Sequence, residues 1–248
     1  MEKINFKLAV VVGTRPEIIR LSRVLDLANS MVNLVLIHTG QNYDYELNQI
    51  FFDELGVKKP DYFLDADVSS LGSTVGDILK KVEPILKAER PDAFLVLGDT
   101  NSCLSAYIAK RLKIPVFHME AGNRCFDFNV PEETNRRIID HIADFNLVYT
   151  EHARRHLIAE GLPQRRIYLT GSPMKEVLNA YADKVKQSSI LADFKLSKNQ
   201  YFVFSIHREE NVDYPDQLNK IVESIHHLSQ YYPIPFVFSC HPRTLKRI

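Results

Sequence analysis

Long apolar runs are missing from this 248-residue chain. No stretch of eighteen apolar residues occurs, so no segment reads as a membrane-spanning helix. The opening Met1-Glu2-Lys3-Ile4-Asn5-Phe6 lacks the apolar core of a signal peptide, which leaves the cytoplasm as the expected location. Cysteine is scarce. Cys103, Cys125 and Cys240 lie far apart without a C-x-x-C pair, so they read as reduced thiols and not as a disulfide frame or zinc site. An excess of charge is lacking too. Lys+Arg and Asp+Glu both total 31, and this balance offers no footprint for nucleic acid or an acidic membrane. Neither G-x-G-x-x-G nor G-x-x-x-x-G-K-[ST] is present, which disfavours a dinucleotide or P-loop cofactor.

What is present suits a globular α/β protein. The chain is 45% apolar and 25% charged, enough to fill a core, and its length allows one large domain or two smaller ones. Apolar bursts alternate with amphipathic stretches, the pattern of β-α-β units around a parallel sheet. The bursts are Leu8–Val12, Leu34–Ile37, Phe94–Leu97, Val116-Phe117, Leu147–Tyr149, Phe202–Ile206 and Phe236–Phe238. Helices are expected at Pro16–Leu27, Tyr45–Leu55, Thr74–Leu86, Asn101–Leu112, Glu132–Ile142, Glu151–Glu160 and Asp216–Leu228. Gly56 and Gly161 sit where helices end. A boundary is expected near Gly171-Ser172-Pro173, giving a first domain over 1–172 and a second over 173–248. A helical, polar stretch runs from Met174 to about Leu196, and a new strand-helix-strand begins at Tyr201. Two strands cannot bury both faces of a parallel sheet, so the second domain is expected to be truncated in this chain.

In an open parallel sheet, ligands bind beyond the carboxyl ends of the strands. Polar residues cluster there repeatedly: Gly13–Glu17, His38–Gln41, Gly98–Asn101, His118–Gly122, His207–Asn211 and Cys240–Arg243. Any single exit could merely cap the next helix. Six exits carrying Arg, Asp, Glu and His favour a site. His152 and His156 have metal-ligand spacing on a helix, but Arg154 and Arg155 interleave and a solvated face is the better reading; no metal is expected. Pro131-Glu132-Glu133-Thr134-Asn135-Arg136-Arg137 puts acids before bases, as the helix dipole favours, and a site role beside the Glu120 exit stays open.

Taken in order, Val12-Gly13-Thr14-Arg15-Pro16-Glu17, Gly98-Asp99-Thr100, His118-Met119-Glu120-Ala121-Gly122-Asn123-Arg124 and Pro131-Glu132-Glu133-x-Asn135-Arg136 resemble the non-hydrolysing UDP-N-acetylglucosamine 2-epimerases. Thr170-Gly171-Ser172 and His207-Arg208-Glu209-x-Asn211 extend the resemblance over essentially the whole chain. It implies the GT-B type of fold, two Rossmann-like domains with parallel sheets, and family members that run well beyond residue 248. Thr14–Arg23 and His38–Leu47 resemble the subgroup that finishes UDP-N-acetyl-L-fucosamine for capsule or O-antigen by epimerising UDP-2-acetamido-2,6-dideoxy-L-talose at carbon 2. Plain UDP-N-acetylglucosamine enzymes usually carry Lys at the position of Arg20 and a His-Arg pair after that of Gln41.

The resemblance further implies a mechanism without nicotinamide or any other cofactor. UDP is eliminated to a glycal and added back after carbon 2 is protonated on its other face, which requires acid–base groups and positive charge at the diphosphate. Asp99, Glu120 and Glu132 are then the catalytic carboxylates, without an assignment of the base among them. His207 is the acid/base or diphosphate-side group. Arg15, Arg20 and Arg136 hold phosphate or carboxylates, and His241 and Arg243 contribute to the nucleotide. The expected partners are a UDP-sugar and a second copy of the chain. The alternatives are conversion of UDP-N-acetylglucosamine to its manno epimer, a GT-B glycosyltransferase, and a nucleotide-sugar-binding fragment. This chain alone is expected to be nearly inactive while its longer parent turns over.

Overall fold

Strands rich in Val, Leu, Ile and Phe, with few polar interruptions, fold where both faces can be covered. The computed structural model describes residues 3–40, 49–240 and 242–247. It divides into two compact units, Met1–Tyr181 and Ala182–Ile248.

The first unit contains β1 (Lys7–Val12), α1 (Arg15–Met31), β2 (Asn33–His38), α2 (Gln49–Leu55), β3 (Tyr62–Phe63), α3 (Leu71–Glu89) and β4 (Ala93–Leu97). There follow a 3-10 turn (Asn101–Ser105), α4 (Ala106–Arg111), β5 (Val116–Ala121), α5 (Pro131–Ile142), β6 (Phe145–Val148), α6 (Glu151–Ala159), β7 (Ile167–Leu169) and α7 (Met174–Ala180). Among the described residues the seven strands pair in the order β3-β2-β1-β4-β5-β6-β7, and every pairing is parallel. The chain winds outward from β1 in one direction and from β4 in the other. The carboxyl ends of β1 and β4 therefore flank the switch point where doubly wound sheets open a crevice.

Two apolar layers cover the sheet. On one face, Ile78, Val82 and Leu86 of α3, Ala106 and Ala109 of α4, and Ile139 of α5 pack on Ala9, Val11, Phe94 and Val116. On the other, Ile18, Leu21 and Leu25 of α1 and Phe52 of α2 pack on Val10, Val12, Leu36 and Leu97. All four α1 and α2 residues are buried, and Ile18, Leu21 and Leu25 have the spacing of one helix face.

The structure departs from the sequence reading at four places. The division falls after Tyr181 and not at the Gly171–Pro173 turn, because α7 returns to the first unit. Val177 is buried, and the Tyr181 hydroxyl donates to the Leu55 carbonyl at 2.7 Å. The edge strands β3 and β7 are two and three residues long, too short to stand out as apolar bursts. The expected helix from Asn101 begins instead as a 3-10 turn. There the Ser105 hydroxyl donates to the Ser102 carbonyl at 2.6 Å, the local competition that serine offers a helix. The expected polar helix after Gly171 is three short pieces. The first four residues of the expected Tyr45–Leu55 helix lie outside the described residues, as does Gln41 with Asn42-Tyr43-Asp44.

The second unit carries α8 (Ala182–Lys186), α9 (Ile190–Asp193), β8 (Phe202–Phe204), α10 (Glu209–Val212), α11 (Pro215–Tyr231), β9 (Phe236–Phe238) and α12 (Pro242–Leu245). β8 and β9 pair in parallel, Phe202 opposite Phe236 and Phe204 opposite Phe238.

Candidate active site

The carboxyl ends of β1 and β4 are tied together by one buried acid. Glu17, in the first turn of α1, reaches back so that its Oε2 accepts the Gly13 N–H at 2.9 Å and the Thr14 N–H at 2.7 Å. This is the acidic half of a capping box. Its Oε1 accepts from the Thr100 hydroxyl at 3.0 Å and from the Ser102 hydroxyl. Glu17 thus bolts the β1 exit to the β4 exit across the switch point. Burial pushes its proton affinity above the ordinary carboxylate value despite these donors.

On this frame stand two further carboxyls, each held by an arginine. Asp99 leaves β4, and its Oδ2 receives Arg136 Nε at 2.8 Å and Nη2 at 2.6 Å. Asn135, one residue earlier on α5, donates from its side chain to the Asp99 carbonyl at 2.9 Å. Glu120 stands at the end of β5 with φ +66°, where the pairing of β5 with β6 slips by one residue between Met119 and Ala121. Such a left-handed non-glycine residue at a bulge re-aims its side chain at a cost of about 1–3 kcal/mol. Arg20 of α1 pairs with Glu120 Oε2, and Asn123 Nδ2 stands 3.4 Å from Oε1. The two acids are neighbours. Gly98, which precedes Asp99, is so close that a Cβ there would lie 3.9 Å from Glu120 Oε2.

Burial raises the proton affinity of both. Desolvation lifts Asp99 against the pull of Arg136, and lifts Glu120 against the pull of Arg20, with Asp99 adding to the rise at Glu120. Two carboxyls that feel one another titrate as a group. Such a pair takes and returns protons closer to neutral pH than free acids do. Arg15 opens α1, exposed, with its guanidinium 5.9 Å from the centre of the Phe51 ring. One helix therefore carries Arg15, Glu17 and Arg20 to the same end of the sheet.

Of the two glutamates that start α5, Glu132 is exposed, and its charge is felt at Asp99. Glu133 is fully buried. Its carboxylate accepts the Cys125 N–H at 3.1 Å and pairs with Arg136 at 3.2 Å and Arg137 at 2.9 Å. Burial alone would raise Glu133, but these donors prevail and lower it. Its task is to anchor the segment that leaves β5. Behind the acids, His118 Nδ1 meets Asp140 Oδ1 at 2.9 Å while Nε2 donates to the Gly98 carbonyl at 2.8 Å. Arg124 pairs with Asp140 at 2.7 Å and with Glu160 at 2.6 Å. Burial would raise Asp140, yet His118 and Arg124 outweigh it and hold its carboxyl low. These residues form a support under the site. His156 belongs to it as well, donating to the Gly122 carbonyl at 3.0 Å.

The structure thus brings Asp99, Glu120, Arg20 and Arg136 together, with Glu132 and Arg15 at the rim. His207 is exposed at the exit of β8 in the second unit. His241 and the side chain of Arg243 lie outside the described residues. Among the described residues no group of three His, Cys, Asp or Glu side chains could hold a metal, and no helix is long and apolar enough to cross a membrane.

The chain that carries this acid pair has relatives among known proteins. The profile of the family described as UDP-N-acetylglucosamine 2-epimerase matches residues 26–248. A solved UDP-N-acetylglucosamine 2-epimerase from Rickettsia bellii superposes with a TM-score of 0.90 at 50% identity, covering 98% of this chain and 64% of that one. The Methanocaldococcus jannaschii UDP-GlcNAc 2-epimerase, solved in complex with UDP-GlcNAc and UDP, gives 0.89 at 36% identity and covers 98% and 68%. A UDP-2,3-diacetamido-2,3-dideoxy-D-glucuronate 2-epimerase of Pseudomonas aeruginosa is 34% identical over 243 residues, 96% of this chain and 67% of that protein. The chain spans about two thirds of the length of these relatives. The fold of the two solved structures is the α/β, GT-B-type fold expected from the sequence, and the named activities of all three relatives are those of isomerases. By profile, by identity and by fold, this chain belongs to the UDP-N-acetylglucosamine 2-epimerase family.

Proposed function

We propose that this chain belongs to a UDP-N-acetylhexosamine 2-epimerase that inverts carbon 2 through a glycal. The single observation that carries this reading is the neighbouring pair Asp99 and Glu120, both raised in proton affinity, each paired with an arginine. Carbon 2 of a 2-acetamido sugar has no adjacent carbonyl, so direct deprotonation has no stabilised carbanion to reach. Elimination avoids this. One carboxylate takes the proton from carbon 2, the bond from carbon 1 to the diphosphate oxygen breaks, and a double bond forms between carbons 1 and 2. A carboxylic acid then delivers a proton to the opposite face of carbon 2, and the diphosphate oxygen re-forms its bond to carbon 1. Asp99, Glu120 and Glu132 are the acids available for the two transfers. Arg15 and Arg20 supply positive charge for the departing diphosphate, a role the planar guanidinium suits. His207 completes the acid–base set on the diphosphate side, and His241 and Arg243 would contact the nucleotide.

The substrate within this reading is UDP-2-acetamido-2,6-dideoxy-L-talose, the product UDP-N-acetyl-L-fucosamine for a capsule or O-antigen, and the working form a cytoplasmic homodimer. Arg20, in place of the usual Lys, and Asn42-Tyr43-Asp44-Tyr45 after Gln41 support the substrate. Family breadth supports it too, since one relative is named for a diacetamido glucuronate nucleotide. NMR of a full-length protein carrying this chain, incubated separately with UDP-N-acetyl-L-fucosamine and UDP-N-acetylglucosamine, tests it. A second epimer from the fucosamine nucleotide alone is the expected result. Turnover of UDP-N-acetylglucosamine alone would move the substrate to the wider family, and turnover only with an added acceptor would favour glycosyl transfer.

A further inference from the structure

Tyr149 follows directly on β6, whose Val148 lies opposite Ala121, the residue after Glu120. Its ring packs in the apolar layer that holds Met119 and Leu147 of the sheet and Ile18 and Leu21 of α1, the helix that carries Arg20. The hydroxyl at the end of that ring is shielded from solvent and has no hydrogen-bond partner among the described residues. A buried hydroxyl without a partner is rare and costs about 1–3 kcal/mol. Burial and the nearby Glu120 charge push the phenol's proton affinity well up, with Arg20 pulling the other way, so the group stays a donor. A donor beside a carboxylate that is already engaged by a cation implies a second arrangement of that carboxylate.

The means for it are present. Arg20 is 37% exposed at its side chain against 17% for Glu120, so the cation is the partner free to swing toward solvent. Glu120 is fixed from below by its left-handed backbone and the β5 bulge. If Arg20 turned to a diphosphate, Glu120 would keep the long Asn123 contact and would stand half-buried without a cation. We propose that Tyr149 is a positioning residue for Glu120, its hydroxyl donating to the carboxylate once Arg20 moves to the diphosphate of the nucleotide sugar. This rests on the proposed UDP-sugar chemistry. Tyr149 keeps Glu120 charged and aimed while the arginine is occupied elsewhere.

Tyr149→Phe in the full-length protein tests this, since the ring and its packing remain. Loss of a hydrogen bond to the charged form raises the proton affinity of Glu120 in the complex. The acid limb of the kcat profile, which reports the substrate complex, should move up by about one pH unit, with kcat down about tenfold and KM changed less than about twofold. Thermal stability should be equal or higher, because an unpartnered hydroxyl is removed. A second readout needs no turnover. Calorimetry of UDP binding in two buffers of different ionisation enthalpy should show more protons taken up by Tyr149→Phe than by the parent. An unchanged pH limb and unchanged proton uptake would overturn the proposal even in an active enzyme. A protein that binds UDP with Tyr149-dependent proton uptake but never epimerises would overturn the epimerase reading and keep this one. A protein that binds no UDP would overturn both.

Discussion

At the residue scale, the candidate site works by opposing two effects on the same carboxyls. Burial drives protons onto Asp99 and Glu120, and one arginine apiece resists it. Removing Arg136 should therefore shift Asp99 in a stated direction. Without Nε and Nη2 on Oδ2, the charged form loses its cation while burial and Glu132 remain, so the proton affinity rises further. At a given pH less of Asp99 is charged. Arg136→Gln should move the acid limb of kcat upward by about one pH unit, and Arg136→Lys should recover part of the shift. An unmoved limb would show that Asp99 does not need its charge. Much of this site is legible in the sequence, because Asp99 and Glu120 sit at or after apolar bursts and arrive as the ends of adjacent strands, while Arg20, inside α1, is reached only through the resemblance. Which of Glu132 and Glu133 faces inward is not legible. Consecutive helix residues point in different directions, and only the packed fold shows Glu133 buried under Arg136 and Arg137. Tyr149 is equally hidden, since a tyrosine ending an apolar run reads as core.

At the scale of elements, the turn after β5 matters most, because it sets the height of Glu120 above the sheet. Gly122 has φ +77°, and a Cβ there would collide with the Ala153 carbonyl oxygen of α6 and lie 2.9 Å from its carbonyl carbon. That contact is with backbone and cannot be relieved by a side-chain rotation. Gly122→Ala should cost about 3 kcal/mol or more, from the left-handed strain together with the displaced helix. Gly161 is the control: its φ is +89°, but a Cβ there meets nothing within 4 Å, so Gly161→Ala should cost only about 1–2 kcal/mol. Urea unfolding of the two variants checks this, and equal losses would contradict a tight seam between β5 and α6. The long strands and helices of this layer follow from apolar periodicity, which explains how well β1, β2, β4 and the helices α1, α3, α5 and α6 can be read from sequence alone. The edge strands β3 and β7 form because a neighbour's backbone offers a ladder, a tertiary cause that leaves no local pattern.

At the scale of the molecule, among the described residues the first unit presents a seven-stranded sheet with its acids at the switch point, and the second unit a two-stranded parallel pair. The acids and their arginines thus come from the first unit, while His207, His241 and Arg243 belong to the second. The expected role of His207 comes from resemblance alone, since no rule of periodicity assigns one to a histidine after a short strand. The central claim is that a proton leaves and returns at carbon 2. We would measure it directly by incubating a full-length protein carrying this chain in D2O with its UDP-sugar and following carbon 2 by NMR. The account predicts deuterium at carbon 2 of the newly formed epimer, and loss of that incorporation in Glu120→Gln and Asp99→Asn variants that remain folded. An epimer formed without deuterium, or a folded parent that neither exchanges nor epimerises, would contradict it.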